Sequence, residues 1–247
     1  MRELETRETR SVRSGRPILA WLLVQVLLSV TAASASHADS SRGAPLGSRA
    51  SLERLEQAGV PEIPLRHALA ALACARSQGD VEDSTLTLID YSLPSSTRRL
   101  WVIDAETGLV RFHELVAHGR GSGLDRARLF SNEAGSLRSS LGLFRTAETY
   151  QGRHGYSLRL DGLEPGVNDR ARERAIVMHG ADYVTAPVVA RQGRLGRSWG
   201  CPAIDPAIHR ELIDTIRGGT AVFAYYPDSD WLTESPYQAC ESDIAGR

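Results

Sequence analysis

From Thr85 onward the chain is mostly a succession of short apolar or β-branched segments with short connections. Thr85–Asp90 is one such segment. Arg99–Asp104 and Leu109–Ala117 flank Ala105-Glu106-Thr107-Gly108, a hairpin signal with its glycine in the loop. Alternation resumes at Leu141, and Tyr156–Leu160, Ala175–Met178 and Ala221–Tyr226 add further strands. One helix is inserted late. Asp205 is suited to its N-cap and Pro206 to its first turn; Ile208, Leu212, Ile213 and Ile216 form its apolar stripe, and Gly218-Gly219 ends it. Mostly consecutive strands with short connections predict a β-rich α+β domain, placed at residues 81–228.

The flanking segments read differently. Ser51–Gln57 and Pro64–Ser77 have helical patterns, the second with Leu65, Leu69 and Leu72 on one face and Gly79 as its stop. They form a helical prelude over 51–80 that packs on the main domain as a brace or lid. Residues 39–50 read as a flexible linker, 229–247 as a polar tail, and Asp161–Arg174 as a surface loop or short helix. At the N-terminus, Arg2, Arg7, Arg10, Arg13 and Arg16 precede an apolar run from Pro17 to Val30, followed by the small-residue sites Ala33-Ser34-Ala35 and Ser36-His37-Ala38. This is the pattern of a secretory signal peptide over residues 1–38, with an apolar run shorter than the ~20 residues a membrane-spanning helix needs. The expectation is an exported protein, periplasmic or associated with the cell wall.

Export exposes the three cysteines to oxidation. They are Cys74, Cys201 and Cys240, and an odd count leaves at least one unpaired within the chain. Either Cys74 pairs with Cys240, or there is no disulfide; a Cys201–Cys240 bridge would disable any chemistry at Cys201. A net charge of -1 gives no field to attract nucleic acid. All 29 basic residues are arginine, which rules out Schiff-base and Walker lysines.

Two residues stand out chemically. His179 ends an apolar run and precedes Gly180; Cys201 lies 22 residues later in Ser198-Trp199-Gly200-Cys201-Pro202. Thiolate is the nucleophilic form of cysteine, and an imidazole can take the thiol proton. Gly200 permits a tight turn that would aim the N–H groups of Gly200 and Cys201 at an oxyanion, and Ser198 is near enough to buttress that turn. His118, at the head of His118-Gly119-Arg120-Gly121-Ser122-Gly123, is a competing candidate; His113 and His154 are less pointed. The glycine-rich stretch lacks a P-loop lysine and reads as a flexible turn. His179, Asp182 and Cys201 are a conceivable zinc set, but the local spacing of a zinc motif is absent.

Several phrases, in order, resemble the L,D-transpeptidase catalytic domain of the YkuD type, and more closely its murein L,D-transpeptidase branch (YkuD_2 type). They include Arg99-Leu100-Trp101-Val102-Ile103-Asp104, Val116-Ala117-His118-Gly119-Arg120-Gly121-Ser122-Gly123, Phe130-Ser131-Asn132 and Ser139-Ser140-Leu141-Gly142. Further on are Ala175-Ile176-Val177-Met178-His179-Gly180-Ala181-Asp182-Tyr183 and Gly196-Arg197-Ser198-Trp199-Gly200-Cys201-Pro202-Ala203. The resemblance implies a β-rich catalytic domain in which Cys201 accepts an acyl group, His179 is its base, and Gly200, Ser198 and Gly180 support them. It implies peptidoglycan stem peptides as substrate, a second stem, a wall-anchored protein or water as acyl acceptor, carbapenems as inhibitors, and no cofactor or metal. The commoner motif has an arginine two residues after the cysteine; here that position is Ala203. Arg197 or Arg194 is expected to take over that role, with Asn132 as a further substrate contact. Two other readings are a different wall thiol peptidase or amidase, and a non-catalytic wall-binding module.

Overall fold

The computed structural model describes residues 46–240. The expected signal peptide and most of the expected linker lie outside them. Among the described residues, no helix is long and apolar enough to cross a membrane.

Two helices come first, α1 (Arg49–Gln57) and α2 (Glu62–Gln78). Nine strands follow: β1 (Thr85–Asp90), β2 (Leu100–Asp104), β3 (Leu109–Glu114), β4 (Val116–Ala117), β5 (Gly142–Gly152), β6 (Gly155–Gly162), β7 (Val177–Gly180), β8 (Ala203–Ile204) and β9 (Ala221–Tyr225). Between and after them lie α3 (Ala186–Gln192), α4 (His209–Ile216), α5 (Ser229–Glu234) and α6 (Pro236–Ala239). The result is a β-rich α+β fold preceded by helix, as the strand pattern predicts.

All nine strands join one sheet in the order β3-β2-β1-β9-β5-β6-β7-β8-β4. Pairing is antiparallel except at β1–β9 and β7–β8. β9 therefore reaches the middle of the sheet although it is the last strand among the described residues, and it is buried along its whole length. The two outermost strands, β3 and β4, are separated in sequence by Leu115 alone. A single residue can join them only if the sheet curls until its edges meet. The segment Leu109–Ala117 is accordingly two strands: its first part pairs with β2 and its last two residues pair with β8.

Helix α2 packs on β1 and β9. Its fully buried face is Ala68, Ala71, Leu72, Cys74 and Ala75, so small residues let it approach the sheet closely, while Leu69 is only partly buried. The prelude is thus a brace: no residue of α1 or α2 lines the cleft described below. The late helix starts at His209, after a turn begun by Asp205, whose carboxylate accepts the Ala207 N–H at 2.8 Å. The tail is not a polar extension through Cys240. Trp231 and Tyr237 are buried, and the Trp231 indole N–H donates to buried Glu164 at 2.8 Å.

Cys240 is bonded to Cys74 of α2, with their Cα atoms 5.7 Å apart, and Cys201 is free. The bridge closes a loop spanning 166 residues. Reduction is expected to lower the unfolding free energy by about 2–4 kcal/mol, read from urea titrations with and without reductant. Alkylation of the unreduced, denatured protein should label Cys201 alone. An unchanged urea midpoint, or label on Cys240, would contradict the pairing.

Candidate active site

Strand β7 delivers His179, and β8 runs parallel to it with His179 opposite Ala203 and Gly180 opposite Ile204. Cys201 precedes Ala203 by two residues and so comes alongside Val177, two residues before His179. The Val177 N–H points at the Cys201 Sγ at 3.5 Å, and the thiol faces the Ala175 carbonyl at 3.6 Å. The separation of 22 residues in sequence is closed by one parallel strand pair. Cys201 and His179 line the same cleft, of about 480 Å³.

The turn carrying Cys201 is fixed from several sides. Ser198 Oγ donates to the Cys201 carbonyl at 2.6 Å and accepts the Gly200 N–H at 3.1 Å, so Ser198 does buttress the turn. This commits the Gly200 N–H, which is therefore not the oxyanion donor expected from the sequence. Gly200 has φ of +128°, and a Cβ there would lie 2.8 Å from the Arg138 carbonyl oxygen. Its own carbonyl accepts from Ser139 Oγ at 3.1 Å. Ser139 Oγ also accepts the Gly119 N–H at 3.0 Å, and the Ser139 N–H donates to Ser122 Oγ at 2.9 Å.

The glycine-rich stretch after β4 is therefore a packed platform and not a flexible turn. A Cβ on Gly119 would meet the Leu137 carbonyl oxygen at 2.4 Å and Gly200 Cα at 2.9 Å. His118, the competing histidine, is fully buried behind this platform. Its Nδ1 accepts from Arg99 Nη2 at 2.8 Å, while Arg99 Nε and Nη2 also donate to the Val116 carbonyl at 3.1 and 3.0 Å. Burial, followed by the Arg99 charge, pushes the His118 pKa down to about 4 from 6.5. Its neutral form therefore supports the fold fully above pH 6.5, and that support is lost as pH falls towards 4. The loss amounts to about 3 kcal/mol for a shift of this size. Urea unfolding at pH 7.5 and at pH 4 should show it, and His118→Asn should reduce the difference between the two pH values. An equal difference in the variant would exclude His118 as the source.

The protonation of His179 follows from its partner. Nδ1 lies 2.9 Å from the Gly180 carbonyl oxygen, which can only accept. Nδ1 therefore carries the proton and Nε2 is the basic nitrogen. Burial lowers the His179 pKa, and the charges of His154 and His209 add to the shift, while the Gly180 hydrogen bond opposes it. Burial raises the Cys201 pKa, opposed by the Val177 N–H and the Arg174 charge. Both shifts favour the neutral forms, a thiol and an imidazole lining one cleft. Iodoacetamide alkylation of Cys201 should keep accelerating above pH 9. A plateau from below pH 7 would instead show a preformed thiolate–imidazolium pair.

Of the expected substrate contacts, Arg197 lines the cleft, with Nη1 on the Gly123 carbonyl at 3.0 Å. Arg194 does not line it and is turned onto the Leu195 carbonyl at 2.8 Å. Asn132 is also absent from the lining; it ties two loops together through Asp169 at 2.7 Å and the Arg170 N–H at 3.2 Å. Asp182 is exposed and outside the cleft, so the conceivable zinc set is not assembled.

Residues not singled out as site residues complete the cleft. His154, at the β5–β6 turn, stacks on His179 with ring centroids 4.3 Å apart. Arg174 lies before β7, and its guanidinium donates to the carbonyls of Ser131 at 2.6 Å and Arg138 at 2.7 Å. It also bonds to the hydroxyls of Ser136 and Ser140. With its four terminal N–H groups engaged, it is a fixed cation beside Cys201. Its position immediately before the strand that carries His179 was the available sequence signal.

A family model described as L,D-transpeptidase catalytic domain, of the YkuD_2 type, matches residues 56–225. The chain belongs to that family. The matched span begins within α1 and takes in all of α2, so the L,D-transpeptidase domain includes the bracing helix. Among solved structures the domain is similar to the L,D-transpeptidase from Mycobacterium smegmatis (14% identity, 58% of this chain and 59% of that chain, TM-score 0.36). It is similar to the LD transpeptidase LdtMt1, solved in complex with imipenem (15% identity, 58% and 59%, TM-score 0.36). A third is the helical cell shape determining protein Pgp2 from Campylobacter jejuni (14% identity, 60% and 50%, TM-score 0.39). The chain thus spans under two thirds of each of these proteins. No curated protein matches it.

Proposed function

We propose that this chain is an exported L,D-transpeptidase that transfers acyl groups between peptidoglycan stem peptides through a thioester on Cys201. The observation that carries the reading is the convergence of a free, partly exposed thiol and an oriented imidazole in one cleft of a domain of this family. Export rests on the arginine-rich N-terminus and the apolar run after it.

In the proposed reaction His179 Nε2 takes the Cys201 proton as Sγ attacks the carbonyl of the L-centre of a stem diamino acid. The tetrahedral oxyanion is met by the Cys201 N–H, since the Gly200 N–H is held by Ser198. Collapse breaks the bond to the terminal D-amino acid, whose nitrogen takes the proton back from Nε2. An acceptor amine then attacks the thioester, giving its proton to Nε2, and Sγ leaves and is reprotonated. A second stem as acceptor gives a cross-link, a wall-anchored protein gives an attachment, and water gives L,D-carboxypeptidase activity.

Muropeptide analysis with the wild-type protein and Cys201→Ser tests this. Cross-links of the 3–3 type, joining the L-centre carbonyl of one diamino acid to the side-chain amine of another, or tripeptide stems, from the wild type alone are the expected result. Shortened products cleaved at any other bond would favour a different wall peptidase or amidase. A carbapenem should add its mass to Cys201; failure to do so would count against the thioester.

A further inference from the structure

The charged lining of the cleft has one sign. Arg153, Arg174 and Arg197 contribute to it, and no aspartate or glutamate does. Arg120 adds a fourth guanidinium at the rim, over the ring of exposed Trp199 at 5.8 Å.

These cations differ in what is left of their donors. Arg174 is consumed by the 131–140 segment, as described above. Arg153, exposed at the β5–β6 turn, has no hydrogen-bond or ion-pair partner among the described residues. The acidic residues on the same hairpin are already engaged: Glu148 pairs with Arg159 at 3.0 Å and with Arg172 at 2.8 Å, and Asp161 pairs with Arg172. Arg197 spends Nη1 on two carbonyls and retains Nη2 and Nε. Two guanidiniums with unspent donors therefore stand in the cleft, on the turn that carries His154 and on the segment that carries Cys201. A guanidinium without a carboxylate in its own protein is matched in shape and charge to one on a ligand.

Resting on the transpeptidase reading, we propose that Arg153 and Arg197 bind free side-chain carboxylates of the acyl-donor stem, making the enzyme selective for non-amidated donors. Arg153 comes from an element well away in sequence from the cysteine motif.

The test uses two muropeptide donors that differ only in amidation of the glutamate and diamino-acid carboxylates. With the wild-type protein, amidation should raise KM by about tenfold or more and change kcat little, the size expected for losing a charged hydrogen-bonded contact. Arg153→Ala and Arg197→Ala should each raise KM for the free-acid donor and leave it nearly unchanged for the amidated donor, and Arg153→Lys should recover part of the loss. Equal KM for the two donors, or equal penalties on both from each variant, would overturn the proposal and leave transpeptidation intact. If neither donor turns over, the acyl-transfer reading fails, and calorimetric binding of both donors to Cys201→Ser decides the carboxylate contact: equal affinities overturn it, and preference for the free acid sustains it.

Discussion

Cys201→Ser is expected to reduce turnover by a factor on the order of 10³ to 10⁶, the range seen when the nucleophile of a coupled catalytic pair is removed. The hydroxyl is close in size to the thiol, and its neighbours are the Val177 N–H and the Ala175 carbonyl, both able to bond an O–H group. Stability should therefore change by less than about 1 kcal/mol. The loss would come from chemistry: a hydroxyl is far harder to ionise than a thiol, and His179 is held with a lowered pKa that makes it a weak base. Single-turnover assays beside urea unfolding curves separate the two effects. Full activity in a stable Cys201→Ser protein would remove Cys201 from the mechanism.

Gly119→Ala is the second large effect. Gly119 does not line the cleft. Yet a methyl group there would collide with the Leu137 carbonyl and with Gly200 Cα, both of them backbone. Backbone cannot swing aside as a side chain can, so either the 136–139 segment or the cysteine turn must move. Overpacking of this kind costs about 1–3 kcal/mol. A displacement of the nucleophile by as little as 1 Å can cost about 10² in rate. The expected result is a protein that still folds, with kcat/KM down about a hundredfold and a slower carbapenem adduct. Wild-type rates in Gly119→Ala would mean that the platform does not set the position of Cys201.

Most strands were legible because β-branched residues and turn glycines mark them locally, and Thr85–Asp90 has the same bounds in sequence and structure, whereas the two-residue β8 was not read and Ala175–Met178 starts two residues before β7. The division of Leu109–Ala117 was not legible, because a strand that exchanges one partner for another keeps the same alternation. Helix α3 was missed although Pro187 near its start and Gly193 at its end were visible punctuation. The tail looked polar because most of its residues are; what holds it is the burial of Trp231 and Tyr237 and the bond through Cys240. In the site, the histidine and the cysteine were legible as motif residues. Arg153 and His154 were not, because they reach the cleft from the β5–β6 turn, which has no motif of its own, and Arg174 was passed over although it stands directly before the His179 phrase. The glycines at 119 and 121 were read as a sign of flexibility, but at Gly119 the absence of a side chain serves close packing.

The position of β9 has a consequence for how the chain is made. The strand belongs between β1 and β5, so until residues 221–225 are available those two strands face each other across a gap one strand wide. A chain emerging from its N-terminus, whether from a ribosome or through a translocation pore, holds two part-sheets with open edges until β9 has emerged. The final strand then closes the gap, and the segment after it brings Cys240 to Cys74. Vectorial production thus leaves this sheet unfinished until its central strand arrives. A truncation that removes β9 is expected to yield a sticky, incomplete sheet instead of a smaller working enzyme.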